Sequence, residues 1–193
     1  MNRLLLIPMI FLLTSCGPVP VPPFSTYSLT VSPTSVSAHR ALTPNTLYVQ
    51  NIIADPGFNT SKMLYVNIPY KLKAFANNAW VAPPAAMLLP MLVNSLQQTH
   101  HYKAVMTAPY SGVANEVLLV RLMKLQQEFL RPTSQERLEL SVTVLNGKTN
   151  AIIKNKSFQS VISAPTNDPY GGVLAANKAA QSLMQKIARY VIS

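Results

Sequence analysis

Hydrophobic and polar positions alternate in several segments of the chain with the period of a β-strand. The alternation is clearest at residues 138–144, where leucine and valine are interleaved with glutamate, serine and threonine. This period-two pattern is typical of a strand that is buried on one face. Further strands are predicted at residues 27–31, 47–53, 63–68, 70–75, 103–106, 117–130 and 152–162.

Two segments instead carry apolar residues three and four positions apart, the spacing of an amphipathic helix. The predicted apolar face of the first helix consists of Ala85, Leu89, Leu92 and Leu96. Pro90 removes a backbone hydrogen bond there, so we expect a kink. The second helix begins with Asp168 as N-cap and Pro169 at its first position. Its apolar stripe consists of Val173, Ala176, Ala180, Leu183, Ile187 and Val191.

The order of these elements is strands, helix, strands, helix. It predicts an α+β fold in which two amphipathic helices pack on one face of a mixed, largely antiparallel sheet.

Residues 1–16 read MNRLLLIPMIFLLTSC, the pattern of a bacterial lipoprotein signal. Arg3 supplies a positive start, and the following apolar run of ten residues is too short to span a bilayer. We predict cleavage between Ser15 and Cys16, and attachment of a diacylglycerol to the Cys16 thiol. Cys16 is the only cysteine, so it has no partner for an internal disulfide. The alternative is a plain secretory leader with a chance cysteine at the cleavage point.

Residues 17–23 read GPVPVPP, and four prolines in seven residues favour an extended conformation. At ~3.1 Å per residue this stretch could hold a domain roughly 20 Å from the lipid. The predicted organisation is therefore a signal peptide at residues 1–15, a lipidated cysteine with a proline-rich spacer at 16–23, and one domain at 24–193.

The composition argues against several functional classes. The net charge is +10, but no dense basic stripe with interleaved aromatic residues indicates nucleic acid, and export argues against it. Weak attraction to anionic lipid and a merely solvated basic surface are both compatible with this charge. The six acids form no evident catalytic pair, and they are Asp55, Glu116, Glu128, Glu136, Glu139 and Asp168.

Other catalytic signals are missing as well. The sequence holds no glycine-rich phosphate loop and no G-x-S-x-G motif. His100 and His101 lack further ligands at metal-binding spacing. The Gly171-Gly172 pair is interpreted as local backbone freedom. We expect no catalytic residue, no metal and no cofactor beyond the covalent lipid, and hence a protein that is not an enzyme.

Trp80 is the only tryptophan and directly precedes the first predicted helix. Tryptophan is frequent in interface hot spots, which makes Trp80 a candidate partner contact. An apolar plug that anchors the entry to an uncapped helix is the favoured interpretation.

Several of these segments also resemble a known family. The motif FANNAWVAPP at residues 75–84, the leucine-rich helix after it and the YKAV strand at 102–105 are similar to ABC-type transport auxiliary lipoproteins. The paraquat-inducible protein C lipoproteins belong to that family. The resemblance extends over roughly residues 27–191.

The resemblance implies an outer-membrane-anchored periplasmic subunit, with acyl chains such as palmitate on Cys16. Such subunits work beside an inner-membrane ABC transporter and a mammalian-cell-entry-type protein, in systems that move phospholipid or other hydrophobic molecules. Gly17, where aspartate would favour the inner membrane, agrees with the outer membrane. We expect an accessory subunit that acts by docking, with homo-oligomerisation left open. The alternatives are a stand-alone protein that binds lipid between helices and sheet, and a structural envelope lipoprotein.

Overall fold

The computed structural model describes residues 23–30 and 43–193, and within them nine strands form one mixed sheet with two helices against it. The strands are β1 (Ser25–Tyr27), β2 (Thr46–Val49), β3 (Ile53–Ala54), β4 (Lys62–Val66), β5 (Leu72–Trp80), β6 (Ala104–Met106), β7 (Glu116–Glu128), β8 (Gln135–Asn146) and β9 (Ile152–Ser163). The helices are α1 (Pro84–Gln97) and α2 (Pro169–Ile192), and a short 3₁₀ turn covers Pro56–Phe58.

The strand β7 organises the sheet because it has neighbours along both edges. One edge pairs with β8 over the whole strand, and β9 continues from β8, both antiparallel. The other edge pairs in succession with β2, β3 and β4, all parallel. Beyond β4 lie β5, antiparallel, and then β1, parallel to β5. The prediction of a mixed, largely antiparallel α+β sheet is confirmed.

The core lies between the helices and one face of the sheet. Alternate residues of β8 are completely or almost completely buried there, namely Leu138, Leu140, Val142 and Val144. Each predicted member of the apolar stripe of α2 is buried, and Asp168 caps this helix by accepting a hydrogen bond from Gly171 N at 2.7 Å. Small alanines at the inner face of α2 allow the helix to approach the sheet closely.

Some predicted boundaries differ from the structure. In α1 the predicted face residues Ala85, Leu92 and Leu96 are buried, whereas Leu89 is only partly buried and Leu88 faces the core instead. The helix continues through Pro90, whose side chain is exposed, so water can reach the carbonyl that loses its partner. The predicted strand 47–53 is divided into β2 and β3, since both pair separately with β7.

The segment around Tyr70 was also assigned differently. Tyr70 is not in a strand but in the turn between β4 and β5, with a φ of 66°. The strand β5 then runs from Leu72 to Trp80, five residues beyond the predicted end at Phe75. The reason is non-local, because the end of β5 is held by parallel pairing with β1.

Candidate functional site: the free edge of the sheet

The predicted site residues fall into two groups. Ser15 and Cys16 lie outside the described residues, so signal cleavage and lipid attachment stay predictions. Trp80 ends β5 with 5% of its surface exposed and packs in the hydrophobic core. Its backbone N–H donates to Ser61 O at 2.7 Å. In this position Trp80 anchors the passage from β5 into α1, whose N-cap Pro83 offers no side-chain hydrogen bond.

Five of the six acids are engaged in ion pairs, hydrogen bonds or a helix cap. Their contacts are Asp55 with Arg121, Glu116 with Tyr102, Glu128 with Arg137, Glu139 with Lys124 and Arg137, and Asp168 with Gly171. Burial raises the pKa of Glu128, but hydrogen bonds from Arg137 and Gln126 outweigh that effect and leave the pKa below its ordinary value. No cluster of three metal-ligating side chains occurs in the described part of the chain.

The sixth acid, Glu136, is buried, although no burial was predicted for it from the sequence. It is 3% exposed and lies opposite Gln127 in the β7–β8 pair, on the core face. Burial, with a smaller contribution from the charge of Glu128, raises its pKa well above the ordinary value. The burial of Glu136 could have been predicted from the alternation in β8, because position 136 lies on the same face as the inward-facing Leu138 and Leu140.

Gln127 explains why the residue at position 172, near the start of α2, is a glycine. Its Nε2 donates to Ser134 Oγ at 2.9 Å and to Asp168 O at 3.1 Å, while Oε1 has no partner in the described residues. A Cβ on Gly172 would overlap this side chain and lie 2.8 Å from Gln127 Cδ. Neither Gly171 nor Gly172 has a positive φ. The interpretation as backbone freedom was therefore wrong, since Gly172 is required for close packing.

The most prominent unpaired feature is the outer edge of β9. This strand of 12 residues pairs only with β8 among the described strands. Ala164 N donates to Ser134 O at 2.8 Å, which extends the β8–β9 ladder and shows which residues face β8. The backbone N–H and C=O groups of successive residues in a strand point to opposite edges. Those of Asn155, Ser157 and Gln159 therefore point to the free edge.

The lysines of β9 do not shield this edge. Lys154 Nζ donates to Tyr190 O and Val191 O, both at 3.2 Å, at the C-terminal end of α2. Lys156 Nζ lies 5.6 Å from the centroid of the Tyr190 ring. Edge strands are commonly protected by outward lysines. Here both lysines turn toward the helix, and no strand of residues 23–30 and 43–193 other than β8 pairs with β9.

The side chains along β9 define which partner segment would fit. Ile152, Ile153 and Val161 are exposed, and serine, asparagine and glutamine occupy most other outward positions. Residues 147–163 contain three lysines and no acid. This edge can therefore accept an extended segment that combines apolar and acidic side chains.

Besides the free edge of β9, the domain has a cleft on the sheet face away from the helices. It is an open cleft of about 600 Å³ between β3 and the β7–β8 pair. Its lining includes Ile53, Leu119 and Thr143, with the Arg121–Asp55 ion pair at the same site. The space between the helices and the sheet is instead occupied by fully buried side chains such as Leu92 and Leu140.

Comparisons with known proteins show which family and which solved structures the chain is similar to. Residues 27–188 match the family model of the ABC-type transport auxiliary lipoprotein component. A Xanthomonas campestris protein of the DUF330 family superposes with a TM-score of 0.78 at 15% identity, covering 87% of this chain and 94% of that one. An uncharacterised protein gives 0.69 at 15% identity, covering 88% and 99%. No protein of curated function matches the chain.

The described helices also bear on the anchoring question. None of them, in residues 23–30 and 43–193, is long and apolar enough to cross a membrane.

Proposed function

Because the chain belongs to the family of ABC-type transport auxiliary lipoprotein components, we propose that it is an accessory subunit of an envelope lipid transport system. In this proposal acyl chains on Cys16 hold it in the outer membrane, and the domain faces the periplasm. It docks to a mammalian-cell-entry-type protein that works with an ABC transporter. It performs no catalysis and needs no cofactor besides the covalent lipid.

The free edge of β9 is the observation that carries the docking proposal. Twelve residues span about 40 Å, which is long enough to pair with a complete extended segment of a partner. Backbone hydrogen bonds would supply affinity, and the basic, partly apolar side chains would select the segment. The partner segment should therefore be extended and carry acids beside apolar residues.

The test uses a proline at an outward-facing position. Gln159→Pro removes an N–H that points to the free edge and leaves the hydrogen bonds to β8 in place. Gln159→Ala is the matched control, since it shortens the side chain and keeps the N–H. We expect the mammalian-cell-entry-type protein to co-purify with lipidated wild type and Gln159→Ala, and to be lost with Gln159→Pro. Unchanged co-purification with Gln159→Pro, at an unchanged melting temperature, would contradict docking at this edge.

The anchor is tested separately. Cys16→Ser removes the thiol that accepts diacylglycerol, so labelled fatty acid should no longer be incorporated. Density-gradient fractionation should place the wild type with outer-membrane markers, as Gly17 suggests. Incorporation of label into Cys16→Ser, or sedimentation of wild type with the inner membrane, would contradict this part of the proposal.

The outer cleft supports a second candidate function, a stand-alone lipid-binding protein. Its volume of about 600 Å³ and its partly apolar lining would accommodate part of one acyl chain. Lipid that extracts with purified wild type, and is lost when Leu119→Arg fills the cleft with a charged side chain, would favour this function over docking alone.

A further inference from the structure

We infer that the domain rests directly on the membrane that holds its anchor, through the end formed by residues 67–72, 129–134 and 164–168. We name this region the turn end. The inference rests on the proposed anchoring at Cys16. It assigns to the domain a second, weaker contact with anionic lipid headgroups, centred on Tyr70.

Three loops meet at the turn end and hold one another in place. Phe129 N donates to Val66 O at 2.8 Å, which joins the β7–β8 turn to the β4–β5 turn. Asn167 Nδ2 donates to Pro132 O at 2.7 Å, and Ser134 N donates to Asn167 Oδ1 at 2.7 Å. The loop before α2 is thereby fixed to the β7–β8 turn, and the three loops present one surface.

This surface displays apolar side chains that the fold leaves in solvent. Tyr70 is completely exposed, and Ile68, Leu72 and Leu130 each retain about half of their exposure. The turn is closed by a hydrogen bond from Lys71 N to Ile68 O at 3.1 Å. It holds Tyr70 at its tip with a φ of 66°, a left-handed conformation that favours glycine. A tyrosine held outward by such a turn gains nothing from the core of its own chain.

The charges of the turn end select an anionic surface. Lys71 and Arg131 lie next to the apolar side chains in the sequence, and residues 67–72 and 129–134 contain no acid. Asp168 lies in the third loop, but its carboxylate is engaged by Gly171 N and by Thr166 Oγ1. Tyrosine with neighbouring lysine and arginine is the combination that settles at the lipid headgroup level.

The direction of the chain brings the anchor to this end. Because β1 runs parallel to β5, with Ser25 beside Asn78 and Tyr27 beside Trp80, the chain before Ser25 leads toward Leu72. The six residues from Asn78 to Leu72 span about 20 Å. The nine residues from Ser25 back to Cys16 can reach about 30 Å. An acylated Cys16 can therefore lie at the level of Tyr70. The same bilayer can then hold the acyl chains and contact the Tyr70 side chain.

The opposite end of the domain provides a matched comparison. It also displays exposed apolar side chains, namely Val113, Ile152 and Ile153, and it carries Lys148. Ile152 lies near the far end of the β8–β9 pair, about 40 Å from the turn end along the strands. If exposed apolar and basic residues alone were sufficient, both ends would contact lipid equally. The proposal requires that only the turn end does so.

The experiment places a fluorescent reporter at each end of the lipidated full chain. Tyr70→Trp and Ile152→Trp are reconstituted in phosphatidylcholine vesicles that contain phosphatidylglycerol as the minor anionic lipid. Trp80 is buried and contributes the same background to both. We expect the emission of Tyr70→Trp to shift to the blue and to be quenched by lipids brominated in the acyl chains, while Ile152→Trp reports water.

A charge variant provides an independent arm. In the non-acylated Cys16→Ser chain, Lys71→Gln should weaken binding to the same vesicles about fivefold, and Lys148→Gln should leave it unchanged. Equal effects of the two lysines would overturn the proposal.

The outcomes also separate this inference from the anchoring proposal. If the wild type does not associate with vesicles, anchoring has failed. If it associates but Tyr70→Trp still reports water, the membrane contact is wrong. A blue shift that appears only when a partner protein is added would also overturn it, and would assign the turn end to that protein.

Discussion

Replacing Glu136 with glutamine should stabilise the fold at neutral pH and lose this effect in acid. Glu136 is 3% exposed and lies opposite Gln127, whose Oε1 lacks a hydrogen-bond partner in the described residues. A protonated carboxyl offers a donor at such a site, and an ionised carboxylate only accepts. Glutamine has nearly the same shape, always carries a donor and does not titrate.

The sign follows from the raised pKa of Glu136. At pH values between the pKa of Glu136 in the unfolded chain and its pKa in the folded chain, the folded state holds one additional proton. Stability therefore falls as the pH rises through this interval, by about 1.4 kcal/mol per pH unit. Below the unfolded pKa both states are protonated and nothing is lost. Glu136→Gln should gain about 1–3 kcal/mol once the pH is one to two units above the ordinary carboxyl value.

The assay is urea unfolding of the non-acylated chain from acid to neutral pH, read as the difference in unfolding free energy between variant and parent. This difference removes the opposite contribution of Glu128, whose lowered pKa causes stability to be lost as the pH falls. Glu139→Gln is the control, since it removes a charge from the outer face of the same strand. Its partly exposed pairs with Lys124 and Arg137 should cost about 0–1 kcal/mol when broken. A pH-independent difference for Glu136→Gln, or a loss at neutral pH, would refute the reasoning.

Three further changes test the packing. Trp80→Ala should cost about 3–5 kcal/mol in urea unfolding, as for a large truncation in the core. A normal stability combined with lost partner binding would instead make Trp80 an interface residue. Gly172→Ala should cost about 1–3 kcal/mol because its Cβ overlaps Gln127, whereas Gly57→Ala should not, since its Cβ meets nothing closer than 4.0 Å. Lys154→Met should cost about 1 kcal/mol by removing a cation from the C-terminus of α2, and high salt should reduce the difference.

The elements that were predicted correctly are those whose pattern is regular and local. The stripe of α2 follows helical spacing for five turns, and β8 alternates without interruption from Leu138 to Val144. The errors occur where pairing with other strands, and not the local sequence pattern, determines the secondary structure. Residues 76–79 read ANNA and have no apolar period of their own, yet β1 and β4 pair with this part of the chain and make it part of β5.

The candidate sites also differ in how far the local sequence can predict them. Lipid attachment at Cys16 is predicted from a short motif, because a signal peptidase recognises sequence before the chain folds, and it stays a prediction. The free edge of β9 could not be predicted in this way, since only the order of strands shows which one is last. The turn end depends on a single topological fact, the parallel direction of β1 beside β5.

The topology also separates the proposed anchor from the proposed docking edge. In the order β1, β5, β4, β7, β8, β9, the strand β1 lies on one side of the sheet and the free edge of β9 on the other. Five strand spacings place them about 24 Å apart. The strand β1 therefore lies away from β9 in the sheet. With the turn end on the membrane, β9 runs away from the lipid toward Ile152, so a partner segment can add along it while the anchor stays in place.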